Sequence, residues 1–90
     1  MRCAMENKNI KILIIDDNQD NINILQALIE EAFSETSIFQ ALNGRQGLEM
    51  ARKEDPDVIF LDIVMPGMDG FEVCRKLKKD NDLGEIPVVL

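Results

Sequence analysis

Ninety residues leave room for one domain with a modest core. Ten Lys and Arg stand against 17 Asp and Glu, for a net charge of −7, and there is no His. This speaks against nucleic acid as a partner, which needs a basic stripe, and excludes His bases, His triads and His metal ligands. A metal site would have to use oxygen donors, or Cys3 and Cys74.

Residues 1–9 read as a polar N-terminal tail without the apolar stretch of a signal peptide, and Met5 is an equally good start. Residues 10–90 read as the folded domain. Two distant thiols and no secretory signal point to a reduced, cytoplasmic protein, with Cys74 as a small core or boundary residue. No apolar run reaches the ~20 residues of a membrane span.

Residues 11–15, Lys-Ile-Leu-Ile-Ile, form a first strand that ends on Asp16-Asp17. Asn18 is placed to cap a helix over 19–34, with Asp20 in its first turn. Ile22, Leu25 and Ile29 recur there at helical spacing, and Ile24 and Leu28 widen the stripe. Residues 37–41 make a less apolar strand near an edge. Asn43 caps a second helix over 44–54 that buries Leu48 and Ala51, with Glu49 and Lys53 an exposed pair. Pro56 closes it.

Val58-Ile59-Phe60-Leu61-Asp62 is the central run: four apolar residues ending on one carboxylate. Asp55-Pro56 before it and Met65-Pro66-Gly67 after it are breakers. It reads as a strand buried on both faces, as in a parallel sheet covered by helices. Asp69 caps a third helix to about Lys79, with Phe71, Cys74 and Leu77 on one face and Arg75, Lys76, Lys78 and Lys79 crowding its end. A polar loop over 80–85 leads to a fourth strand that begins at Ile86. Strand–helix three times and then a strand implies right-handed crossovers and an α/β fold, a doubly wound parallel sheet.

In such a sheet ligands bind at the carboxyl ends of the strands. If the two acid-tipped strands are neighbours, Asp16, Asp17 and Asp62 meet at one rim. Carboxylates so placed repel one another, and a hard divalent cation such as Mg²⁺ is the economical neutraliser. A carboxylate beside Mg²⁺ suits attack on a phosphoryl group, and an aspartyl phosphate is a known covalent form of Asp. Any one of these acids alone would read as a helix cap.

Ile12-Leu13-Ile14-Ile15-Asp16-Asp17-Asn18, followed by Val58 to Asp62 and then Ile63-Val64-Met65-Pro66-Gly67-Met68-Asp69-Gly70, resembles the receiver domain of two-component response regulators. Ala41-Leu42-Asn43-Gly44 at the second helix fits as well. The resemblance implies a flavodoxin-like sheet of strand order 2-1-3-4-5. It implies Asp62 as the phosphoacceptor, Asp17 as a direct Mg²⁺ ligand, Asp16 acting largely through water, and the Val64 backbone carbonyl as a further ligand. The implied phosphodonor is a sensor histidine kinase, a phosphotransfer protein or a small phosphorylated molecule.

A receiver has a fifth strand and two more helices, and with them a Ser or Thr after the fourth strand and a Lys after the fifth. These lie beyond Leu90, so an incomplete fold of four strands and three helices is expected, a receiver truncated after its fourth strand. Lys76, Lys78 and Lys79 are no substitutes, being on the third helix away from the rim. An unpaired fourth strand invites pairing with another copy, so a two-fold homodimer through it, or through the uncovered side of the first helix, is expected, and an interaction module independent of phosphorylation is the alternative function. A haloacid-dehalogenase-like phosphatase would need a second Asp where Val64 stands, so the chain does not read as an enzyme.

Overall fold

The computed structural model describes residues 9–65, 67 and 69–90. The expected tail, with Cys3 and Met5, lies outside the described residues except for Asn9, and so do Pro66 and Met68. Four strands and three helices alternate: β1 (Ile10–Ile15), α1 (Gln19–Ala32), β2 (Thr36–Ala41), α2 (Gly44–Glu54), β3 (Val58–Leu61), α3 (Gly70–Lys79) and β4 (Val88–Val89). The sheet is parallel in the order β2-β1-β3-β4. It is the incomplete flavodoxin-like sheet expected from the sequence.

The caps follow the sequence closely. Asn18 Oδ1 accepts from the Asp20 and Asn21 amides, Asn43 Oδ1 from Gln46 and Asp69 Oδ1 from Glu72. Each satisfies helix N–H groups that have no intrahelical partner. Helix α1 stops at Ala32, two residues short of expectation, because Phe33 takes an extended conformation. Pro56 ends α2, with Asp55 in the left-handed region (φ 51°) rather than extended. On α2, Glu49 pairs back to Arg45 (3.8 Å).

Alternation along β1 and β3 splits the core in two. Leu13, Ile15, Ile59 and Leu61 face α2 and α3, where Leu48, Ala51, Val73 and Leu77 meet them. Ile12 and Ile14 face α1, where Ile22 and Ile29 meet them. Fully burying one such aliphatic side chain contributes about 1.5–3 kcal/mol, and β1, buried on both faces, is the axis of the fold. In contrast, β3 alternates between buried Ile59 and Leu61 and half-buried Val58 and Phe60. The expectation of a strand buried on both faces holds for one face only, because among the described residues α1 alone covers the other.

A second correction concerns α3. Its inward face is Gly70, Val73 and Leu77, whereas Phe71 is 52% exposed and Cys74 is a boundary residue against the core. Gly70 causes this rotation. Its amide donates to the Ile63 carbonyl (2.8 Å), and a Cβ there would overlap the Asp62 carbonyl oxygen and Ile63 Cα. Only glycine lets the helix start so close to the end of β3. Gly47 plays the same part on α2, where a Cβ would overlap the Ile15 side chain.

Beyond α3, the loop over 80–87 tucks Leu83 and Ile86 into the core. Asp80 anchors it, accepting at Oδ1 from the amides of Asp82 (2.8 Å) and Leu83 (3.1 Å). Arg52 Nε of α2 lies 3.5 Å from its other oxygen. The Asp82 amide above all holds this carboxyl below its usual value; desolvation opposes the shift, and the Leu83 amide and Arg52 add to it.

Two outcomes follow from these contacts. The folded-state value of Asp80 is depressed, so its charge stabilises the fold above about pH 4, and the effect is lost as pH falls through the folded value. Asp80→Asn should therefore lower the thermal midpoint at pH 7, with the gap to wild type closing below pH ~4; a gap of constant size down to acid pH would show that the charge contributes nothing. Gly70→Ala should cost about 1–3 kcal/mol in denaturant unfolding through overpacking, and it should move the Asp62 backbone amide resonance more than that of Ala41.

Candidate functional site

The parallel pairing of β1 with β3 sets Ile15 opposite Leu61, so each strand delivers its next residue to the same rim. The ladder runs one bond further on each side. The Asp62 amide donates to the Ile15 carbonyl (2.9 Å) and the Asp16 amide to the Ala41 carbonyl (3.0 Å). Both acids thus have their backbones fixed by the sheet, and Asp17 follows at the start of the turn into α1. The structure brings together the three carboxylates expected from the sequence: one oxygen from each of Asp16, Asp17 and Asp62 lies within 4.8 Å of the others. Asp16 and Asp62 are half-buried and Asp17 is exposed.

Their hydrogen bonds differ. Asp16 Oδ1 accepts from the Asn18 amide (2.9 Å) and its Oδ2 from Asn21 Nδ2 (3.4 Å). Asp62 Oδ1 accepts from the Val64 amide (3.3 Å). Asp17 has no hydrogen bond among the described residues and is the freest to take a ligand. Asn21 was missed in the sequence because it sits among the solvated positions of α1, although five residues beyond Asp16 its amide reaches back over the first turn. The Val64 amide contact was also missed. What could be read there was the loop position of Val64; its side chain is 80% exposed.

Two unit charges ~5 Å apart repel by about 0.8 kcal/mol in water and about 3 kcal/mol at an effective dielectric of 20. The cluster therefore favours a cation. The donor set is all oxygen, which suits Mg²⁺; direct Mg²⁺ ligands sit about 2.0–2.1 Å from the ion and several waters are usually retained. The lysines of α3 do not supply the charge. Helix α3 starts at the rim, and at 1.5 Å per residue its last turn lies more than ~10 Å away. Lys78 is instead directed to the carbonyls of Gly84 (3.4 Å) and Ile86 (3.3 Å).

A cleft of about 410 Å³ opens beside the acids on the α1 side of the sheet. Asp16, Asp62 and Val64 line its mouth, and Leu25, Phe60 and Val89 its apolar walls.

Comparison with known proteins agrees with this geometry. Residues 12–90 match the family described as the response regulator receiver domain. Response regulator PleD of Caulobacter vibrioides is 48% identical over 80 residues, which cover 89% of this chain and 17% of that protein. Protein PilH of Pseudomonas aeruginosa is 41% identical over 80 residues, covering 89% of this chain and 64% of that protein. The signal receiver domain of a DNA-binding response regulator from Colwellia psychrerythraea superposes with a TM-score of 0.82 at 32% identity, covering 89% of this chain and 65% of that one. The chain spans less than two thirds of the length of each. With the match running from β1 through β4 and taking in all three rim acids, this chain belongs to the response regulator receiver domain family.

Proposed function

We propose that the chain is the phosphoryl-accepting module of a two-component phosphorelay, with Asp62 as the acceptor. The observation that carries this reading is the position of Asp62 at the carboxyl end of β3, backbone pinned to β1, with Asp16 and Asp17 within 4.8 Å. A carboxylate oxygen of Asp62 attacks the phosphorus of a phosphohistidine on a sensor histidine kinase or phosphotransfer protein. The P–N bond breaks, the acyl phosphate P–O bond forms, and the leaving imidazole nitrogen takes up a proton. Small phosphodonors such as acetyl phosphate would serve by the same attack. Mg²⁺ would be held by Asp17 and Asp62, by Asp16 largely through water, and by the Val64 backbone carbonyl. When bound, Mg²⁺ shields the incoming phosphoryl charge and orients the donor.

The residues here do three further things. The Val64 amide holds one oxygen of Asp62, leaving the other to attack. The Asn18 amide and Asn21 side chain hold Asp16. Gly70 keeps the α3 N-terminus, a partial positive pole, close to the acceptor strand. Such a module signals rather than turns over substrate, and it belongs in the cytoplasm with its donor. No helix among the described residues is long and apolar enough to cross a membrane.

A second reading, an interaction module independent of phosphorylation, is favoured by one observation. Beyond β4 no further strand pairs among the described residues, and Val89 and Leu90 are 46% and 57% exposed. Two copies could pair along that edge as a homodimer.

Acetyl phosphate with Mg²⁺ should add one phosphoryl group to the wild type by intact mass, and none to Asp62→Asn. Modification of Asp62→Asn to the same extent would place the acceptor elsewhere. Asp17→Ala should weaken the Mg²⁺ response by at least about 10-fold, since loss even of a group behind the ligands typically costs about 10–100-fold; an unchanged titration would remove Asp17 from the ligand set. For the second reading, Val89→Lys should abolish any edge-paired dimer in sedimentation, and dimerisation unaffected by it would exclude the β4 edge.

A further inference from the structure

Two of the helices differ sharply in charge. Helix α1 carries Asp20, Glu30 and Glu31 and no cation, and α3 ends in Arg75, Lys76, Lys78 and Lys79. Acids in the last turn of α1 oppose its helix dipole, and no basic residue lies in that turn. The outward stripe of α1 is Asp20, Ile24, Leu28 and Glu31, at the i, i+4, i+8, i+11 spacing of one helix face. Ile24 is 62% and Leu28 58% exposed. On α3, Phe71 and Cys74 form the apolar floor of a groove of about 350 Å³ rimmed by Arg75, Lys78 and Lys79.

We propose that copies of this chain associate head to tail, with α1 of one copy seated along the α3 groove of the next. Two features select a second copy as the occupant. The first is charge complementarity: an acidic, apolar helix meets a basic, apolar groove in the same molecule. The second is spacing. Seven residues separate Ile24 from Glu31, and seven separate Phe71 from Lys78, so parallel seating puts Ile24 on Phe71, Leu28 beside Cys74 and Arg75, and Glu31 at Lys78 and Lys79. Helix α1 packs on one face of the sheet and α3 on the other. The contact therefore joins two different patches and is not isologous, so it builds rings or open chains of more than two copies instead of closing as a two-fold pair.

Sedimentation velocity of the wild-type chain over a concentration series tests this. At low salt, species larger than a dimer should grow in with concentration, and 0.5 M NaCl should weaken them, since the rim pairs are exposed and screened. Glu31→Lys and Lys79→Glu should each weaken association at least ten-fold while keeping wild-type circular dichroism. Lys78 is left intact because it holds the Gly84 and Ile86 carbonyls, and Arg75→Glu replaces Lys79→Glu should that variant fail to fold. Mixing Glu31→Lys with Lys79→Glu should restore association, because every α1–α3 contact between unlike copies again joins opposite charges. A monomer at all concentrations, a closed dimer, association indifferent to both reversals, or mixtures no stronger than the single variants would each overturn the proposal. Loss of association in Val89→Lys alone would assign it to the β4 edge instead.

Discussion

The parallel register between β1 and β3 is the constraint on which this structure rests. Ile15 stands opposite Leu61, and the amide of the next residue, Asp62, donates back to Ile15. A slip of one residue would carry Asp62 ~3.3 Å along the strand and turn every β3 side chain to the opposite face. Ile59 and Leu61 would leave the α2–α3 core and the acid cluster would come apart. The burial that fixes the fold and the convergence that makes the site are one choice of register. The rim carboxylates are tolerated because the apolar halves of both strands hold them there.

The rim is also where the helices begin. β1, β2 and β3 each lead from their carboxyl ends to a helix capped by Asn18, Asn43 or Asp69, so the positive poles of the helices stand on the same side as the acids. The poles of α1 and α3 offset part of the mutual repulsion of Asp16, Asp17 and Asp62, but partial charges of about half a unit fall short of three carboxylates. That shortfall is the physical basis for reading the cluster as a cation site rather than as a set of caps.

Much of this could be read in the sequence because the decisive signals are local. An apolar run ending on an acid gives a strand and its rim residue together, and Asn18, Asn43 and Asp69 announce the helix starts. The face of α3 could not be read in the same way. Phe71, Val73, Cys74 and Leu77 hold two overlapping helical stripes, and spacing alone does not choose between them. The choice is made by Gly70, which packs on Asp62 and Ile63 and so turns Val73 and Leu77 inward. The half-buried state of Val58 and Phe60 is likewise a tertiary fact, set by how many helices lie on each face. Asn21 was hidden because it holds Asp16 with a side chain that, by pattern, belongs to solvent.

The unequal cover of the two faces bears on how the site is reached. On one side α2, α3, Met65 and the Leu83–Ile86 segment pack continuously under the rim. On the other, only α1 among the described residues lies against the sheet, and the cleft bounded by Leu25, Phe60 and Val89 opens up to Asp16, Asp62 and Val64. The Asp62 carboxylate is backed by dense packing in the first direction and bordered by partly apolar surface in the second. With Val64 80% exposed at the mouth of that cleft, an apolar side chain stands in solvent two residues beyond the Asp62 carboxylate.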